Sequence, residues 1–527
     1  MSTRVRWILV VAAVLVLGIG GGSLTAVLTS GGDDVASPAD PATSTGPSAP
    51  ATPADPGQGD TAPVPAGLEA FYGQQLEWTD CGDSECSELT VPVDYGQPDG
   101  DTVDLHLERV PARDQGARVG SLVVNPGGPG APGSTMTDSA DYFFGDALLD
   151  RLDVVAFDPR GTGESDPVDC LSDEELDAFL AADPSPDDPG EVEELTAMQE
   201  GFFDGCVERS DGLVGHVSTV ESARDMDVLR SALDEPTLRY LGFSYGTTLG
   251  STYAQLFPGN VGPFVLDGAT DPTLGFEQDA LSQAAGFQTA LDAYVDDCLT
   301  GDCFLGDSRE EALTTIEDLL DDIDDSPLPT SSGRDLQIGN AFYGIVYPLY
   351  SRDSWTYLDQ GLEEALAGSG DTLLLLADLY ASRNPDGSYA DNSLEAFIAI
   401  SCLDDPSVVD PAEVPAEVPA FEDASQTFGE TFAWGLVGCY GIDVEASEPT
   451  PTITAEGAAP IIVIGTTRDP ATPYEEAVAL AAQLDSGVLV TRDGDGHTGY
   501  NKGNACVDDA VETYLLGGDA PGSDLDC

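Results

Sequence analysis

The chain has 527 residues, 41% hydrophobic and 7% aromatic, which is enough for a large core and an inserted second unit. Its 96 acidic and 18 basic residues give a formal charge of −78, a surface that repels nucleic acid and anionic lipid headgroups. The histidines are not at metal-ligand spacing and no C-x-x-C occurs, so the sequence is a poor match to a zinc centre and no cofactor is expected.

At the start, Arg4 and Arg6 precede an apolar run from Trp7 to Ile19, which continues with glycine interruptions to Leu28. The pattern suits a signal peptide or an uncleaved membrane anchor, and residues 1–30 are assigned to that role. Either way the arginines stay inside and the rest of the chain is exported. Residues 31–67 are rich in Ala, Pro, Asp, Ser, Thr and Gly, which predicts a disordered tether. In an exported chain the even set of ten cysteines points to disulfides. Neighbour pairing is the simplest connectivity: 81–86, 170–206, 298–303, 402–439 and 506–527.

The folded body opens with two strands, Leu89 to Val93 and Val103 to Val110, read as an antiparallel pair. A short buried strand, Ser121 to Val124, runs into the loop Asn125-Pro126-Gly127-Gly128-Pro129-Gly130. Another strand, Arg151 to Phe157, leads into Asp158-Pro159-Arg160-Gly161, a rim loop that Arg160 is expected to brace. The glycine loop also contains G-x-G-x-x-G at 128, 130 and 133, with Asp158 ending the next strand. A dinucleotide site is disfavoured, because Pro129 and Pro132 remove amides that would cradle a pyrophosphate.

After a helical excursion from Cys170 to about Glu221, the strand-like 237–241 meets Gly242-Phe243-Ser244-Tyr245-Gly246, followed by a helical 247–257. A serine on so tight a strand-to-helix turn is how an α/β-hydrolase presents its nucleophile. Phe264 to Leu266 is a further strand. Helical spacing then dominates from Asp271 to about Pro460, over Leu281 to Cys298, Glu310 to Ile323 and Trp355 to Ala367. A strand from Ala459 to Ile464 opens into the loop carrying Asp469, and Gly487 to Thr491 into the loop carrying His497.

The expected fold class is α/β: an α/β-hydrolase with a mostly parallel sheet flanked by helices and an inserted helical cap. Residues 68–270 form the first part of the core, 271–458 the cap, and 459–527 the C-terminal part. The order Ser244, Asp469, His497 is that of an α/β-hydrolase triad. His497 would take the Ser244 proton, with Asp469 holding the imidazole. Asp493 and Asp495 are rivals for the acid but lie too close in sequence to His497. The oxyanion would sit between the amide of Tyr245 and one from Gly127 or Gly128.

Together, Asn125–Gly130, Asp153–Asp166, Gly242–Gly250, Asp469–Pro473 and Gly496-His497 resemble the secreted tripeptidyl aminopeptidases of actinobacteria, relatives of proline iminopeptidase. The resemblance runs from about Trp78 to Cys527. It implies an α/β-hydrolase fold, a helical cap and hydrolysis of short peptides from free N-termini. It assigns Ser244 as nucleophile, Asp469 as acid and His497 as base. Departures are Thr498 after the histidine and Ala131-Pro132 in the glycine loop. An ammonium-recognising carboxylate is also expected, with Asp404 and Asp405 as candidates. Expected partners are peptide substrates, with N-terminal membrane attachment an open alternative to secretion. An esterase or lipase acting on ester or lipid substrates is the competing reading.

Overall fold

The computed structural model describes residues 64–210 and 212–527. The N-terminal apolar run and nearly all of the expected tether lie outside the described residues. Among the described residues, no helix is long and apolar enough to cross a membrane.

Ten strands form one sheet: β1 (Thr79–Asp80), β2 (Glu85–Pro92), β3 (Thr102–Val110), β4 (Gly120–Asn125), β5 (Leu152–Phe157), β6 (Leu238–Phe243), β7 (Val261–Asp267), β8 (Ile461–Arg468), β9 (Gly487–Asp495) and β10 (Leu525–Asp526). Their spatial order is β1-β2-β3-β5-β4-β6-β7-β8-β9-β10. The first three strands pair antiparallel and β3 joins β5 antiparallel. From β5 through β4, β6, β7, β8 and β9 to β10 every pairing is parallel. The α/β-hydrolase expectation therefore holds.

Alternation along the central strands sends side chains to two cores. Val123, Tyr240, Phe264 and Val463 pack on one face with helix residues such as Leu249 and Tyr253. Leu122, Leu241, Val265 and Ile464 pack on the other with Val507, Val511 and Leu515 of the helix Ala505–Leu515. A parallel strand covered on both faces must be apolar throughout, which is why these strands read as short unbroken runs.

Between β7 and β8 the chain leaves the sheet and builds a block of helices, including Phe276–Cys298, Arg309–Asp325, Ile338–Leu349, Trp355–Leu366 and Ser393–Asp404. The block has its own core around Leu291, Ile316, Ile345, Leu358 and Leu373. The helix Ile338–Leu349 is invisible to helical spacing because it contains Gly339, Gly344 and Pro348. Close packing explains Gly344: a β-carbon there would lie 2.4 Å from the Leu373 carbonyl oxygen. Strands β1 and β10 were also missed, since two residues carry no periodicity. The five disulfides connect the neighbouring pairs expected from the sequence.

Arg160 sits beneath the rim loop with no exposed surface, paired with an equally buried Asp225. Its Nε and Nη2 donate to the two Asp225 oxygens at 2.8 and 2.7 Å. The remaining N–H groups donate to the carbonyls of Pro92, Val93 and His216. The Arg160→Ala variant, which strands the Asp225 charge, should lose about 3–5 kcal/mol of stability in a denaturant titration. A loss below about 1 kcal/mol would contradict this account of the rim loop.

Candidate active site

Ser244 occupies the turn between β6 and the helix Tyr245–Leu256, with φ 55° and ψ −128°. Such a conformation costs a non-glycine residue about 1–3 kcal/mol and persists only where the surroundings enforce it. Here the Ser244 N–H donates to the Asp267 carbonyl at 2.9 Å, and the Ser244 carbonyl accepts from Thr247 N–H at 2.7 Å. Gly242 is required because a β-carbon there would come within 2.4 Å of the Gly246 carbonyl oxygen.

Asp469 follows β8 and is buried, with 2% of its surface exposed. Its Oδ1 accepts the amides of Ala471 and Thr472, both at 3.0 Å, and its Oδ2 accepts the amide of Thr498 at 3.0 Å. Nδ1 of His497 lies 2.8 and 2.9 Å from the two oxygens. The His497 N–H donates to the Tyr350 carbonyl at 2.9 Å, and the two rings meet edge to face at 5.6 Å. Nε2 of His497 is buried and makes no hydrogen bond. The ring packs beside Gly268, whose β-carbon position is 3.1 Å from His497 Cε1. Gly268 follows Asp267, the residue that holds Ser244. The structure thus brings Asp469 and His497 into direct contact and leaves Nε2 free of any bond to the Ser244 hydroxyl.

The glycine loop lies against the serine turn. A β-carbon at Gly127 would be 2.5 Å from the Phe243 carbonyl oxygen and 3.1 Å from Tyr245 N. The Gly127 amide donates to Asn125 Oδ1 at 2.9 Å. Tyr245 begins its helix, so its amide points along the positive end of the helix dipole.

Other sequence candidates serve different ends. Asp493 and Asp495 bind Arg468, and Asp495 also binds Arg352. Asp158 accepts the amides of Ser134 and Glu164, both at 3.0 Å, a use that suits a loop brace and not a ribose ligand. Asp404 accepts the amide and hydroxyl of Thr219 at 2.9 and 2.5 Å, and Thr219 in turn bonds the Tyr245 phenol. Asp405 accepts the Phe276 amide at 3.2 Å. These bonds anchor both carboxylates to neighbouring segments. Sequence reasoning missed Asp267, Tyr350 and Thr472. An Asp closing an apolar strand was a faint signal for the first, and nothing local marked the other two.

Comparison with known proteins supplies the family. A model described as TAP-like protein matches residues 424–527. The serine protease Hip1 of Mycobacterium tuberculosis is 38% identical, over 87% of this chain and 92% of its own length. Carboxylesterase B of the same species is also 38% identical, over 90% and 92%. A tripeptidyl aminopeptidase of Streptomyces lividans is 30% identical, over 86% of each. The chain belongs to the TAP-like family of α/β-hydrolases. Among solved structures, the α/β hydrolase MGS-M2 from a deep-sea metagenome aligns at 12% identity and TM-score 0.33, over 78% of this chain and 92% of its own.

Several carboxyls around the site of this TAP-like protein are held above their ordinary range by burial. Asp267 and Asp404 are pushed up to about 6, and so is Asp279 on the helix Phe276–Cys298. Glu476, which accepts from the Ser282 hydroxyl at 2.6 Å, is pushed up to about 8. Each binds its proton more tightly folded than unfolded. Their contribution to stability is therefore complete below about pH 4 and is lost as pH rises through about 6 to 8. The melting temperature should fall as pH is raised from 5 to 8.5 in a buffered thermal scan. A melting temperature that climbs over this range would refute the assignment.

Proposed function

We propose that this protein is an exported serine peptidase that releases short peptides from the free amino end of its substrates. The observation that carries the reading is the buried Asp469–His497 pair at 2.8 Å, with His497 beside the segment that holds Ser244. The names of the relatives, serine protease Hip1 and tripeptidyl aminopeptidase, support peptide chemistry. Five disulfides among the described residues support an extracellular setting.

In this reading the Ser244 hydroxyl attacks the scissile carbonyl carbon while His497 Nε2 takes its proton. Asp469 fixes the proton of the other ring nitrogen on Nδ1 and stabilises the imidazolium. The carbonyl oxygen becomes an oxyanion received by the Tyr245 amide and by an amide of the glycine loop. Since Gly127 N–H is committed to Asn125, Gly128 is the loop donor we assign and Gly127 the residue that lets the loop approach. The C–N bond then breaks, and the amine leaves with the proton from His497. Water, deprotonated by His497, attacks the acyl-enzyme and releases the peptide with Ser244 restored. Residues 271–458 are proposed as the cap that limits substrates to short chain ends.

A second reading, ester hydrolysis, is favoured by the relative named carboxylesterase B at the same 38% identity. Both chemistries use the same residues, so substrate comparison separates them. Ser244→Ala should lower turnover of a tripeptidyl anilide by about 10⁶-fold, and wild-type activity in that variant would eliminate the mechanism. N-acetylation of the anilide should abolish most cleavage. Equal rates on free and acetylated substrates, with faster turnover of chromogenic esters, would move the assignment to an esterase.

A further inference from the structure

Asp267 has no catalytic part in the mechanism above, yet its contacts reach both Ser244 and the loop of His497. It is the last residue of β7, facing Phe243 on β6 and Ile464 on β8. It therefore lies between the strand that runs into Ser244 and the strand that leads to Asp469. Its carbonyl accepts the Ser244 N–H at 2.9 Å. Its carboxylate, with no exposed surface, accepts the Gly499 amide on Oδ1 at 2.7 Å and the Tyr500 amide on Oδ2 at 2.8 Å.

The loop after His497 is thus held by two carboxylates in succession. The Thr498 amide goes to Asp469 and the next two amides go to Asp267. Gly499 admits this approach because a β-carbon there would lie 2.7 Å from Ile464 Cγ2. The conformation is confined further by positive φ at Gly496 and Thr498, 95° and 68°. A buried carboxylate is costly unless donors satisfy it, and here two amides do so. Asparagine would keep one acceptor and turn an NH₂ donor toward the other amide. The chemistry of the position selects a carboxylate.

We propose that Asp267 is a positioning residue that sets the separation of Ser244 and His497, fixing the serine through its main chain and the histidine loop through its side chain. The inference rests on the reading of Ser244 and His497 as the reacting pair. Proton transfer between them tolerates little displacement, and an error of about 1 Å can cost about 10²-fold in rate.

The test uses Asp267→Asn and Asp267→Ala in the full chain, with active sites counted by fluorophosphonate titration and tripeptidyl anilide as substrate. Turnover per titrated site should fall at least about 10-fold in the Asn variant and about 100-fold in the Ala variant, with KM within about threefold of wild type. A purely structural role would lower the number of titrated sites and leave turnover per site unchanged. Turnover per site within twofold of wild type in both variants overturns the proposal. Ser244→Ala, run in parallel, separates the two ideas, because wild-type turnover there defeats the underlying reading instead. If neither Asp267 variant folds, hydrogen–deuterium exchange on the unaltered chain decides. The amides of Gly499 and Tyr500 should exchange as slowly as those of β7, and exchange at surface-loop rates overturns the proposal.

Discussion

The contact on which the site depends is the one between Asp469 and His497. A carboxylate almost without exposure is tolerable because three backbone amides and the imidazole all donate to it. The same bonds lock the geometry. Ala471 and Thr472 close the acid loop on itself, and Thr498 ties the histidine loop to it. In the proposed mechanism, fixed dipoles of this kind would need no reorganisation when charge develops on the ring.

Support for those loops comes from the helical block inserted between β7 and β8. The Tyr350 carbonyl receives the His497 amide. Gly286, on the helix Phe276–Cys298, lies so near the acid loop that a β-carbon would be 2.4 Å from the Pro470 carbonyl oxygen. Gly130 of the glycine loop is equally close to the helix Ser393–Asp404, at 2.6 Å from the Ser393 carbonyl oxygen. Each of the acid, base and glycine loops therefore touches the inserted helices main chain to main chain. Such close packing leaves the insertion little room to shift without disturbing the site loops.

The acidic excess shapes the interior as well as the surface. With only 18 basic residues for 96 acids, several buried carboxylates among the described residues have no arginine to pair with. Asp225 takes Arg160 and Asp227 takes Arg230. Asp404 instead takes the amide and hydroxyl of Thr219, Asp267 takes two amides with Lys502 acting on it through space, and Asp469 takes three amides and the His497 imidazole. Where donors are fewer than a carboxylate can use, burial raises the proton affinity of the group. The high proton affinity of Glu476 and its neighbours follows from that shortage.

The α/β-hydrolase fold and the order of Ser244, Asp469 and His497 were legible in the sequence. The signals are local: apolar runs of strand length, each ending in a glycine-bearing loop. Cysteine neighbours were legible too, because partners such as Cys81 and Cys86 are only five residues apart. Contacts across long stretches of chain leave no such trace. Asp267 meets the amides of Gly499 and Tyr500 across 232 and 233 positions. Tyr350 meets His497 across a similar gap in kind, and the commitment of Asp404 to Thr219 spans 185. Periodicity and turn chemistry describe neighbours along the chain, so the sequence by itself determined which residues stand at strand ends. Only tertiary packing decided which amides and carboxylates face one another there, since hydrogen bonding depends on positions in space that no local pattern encodes.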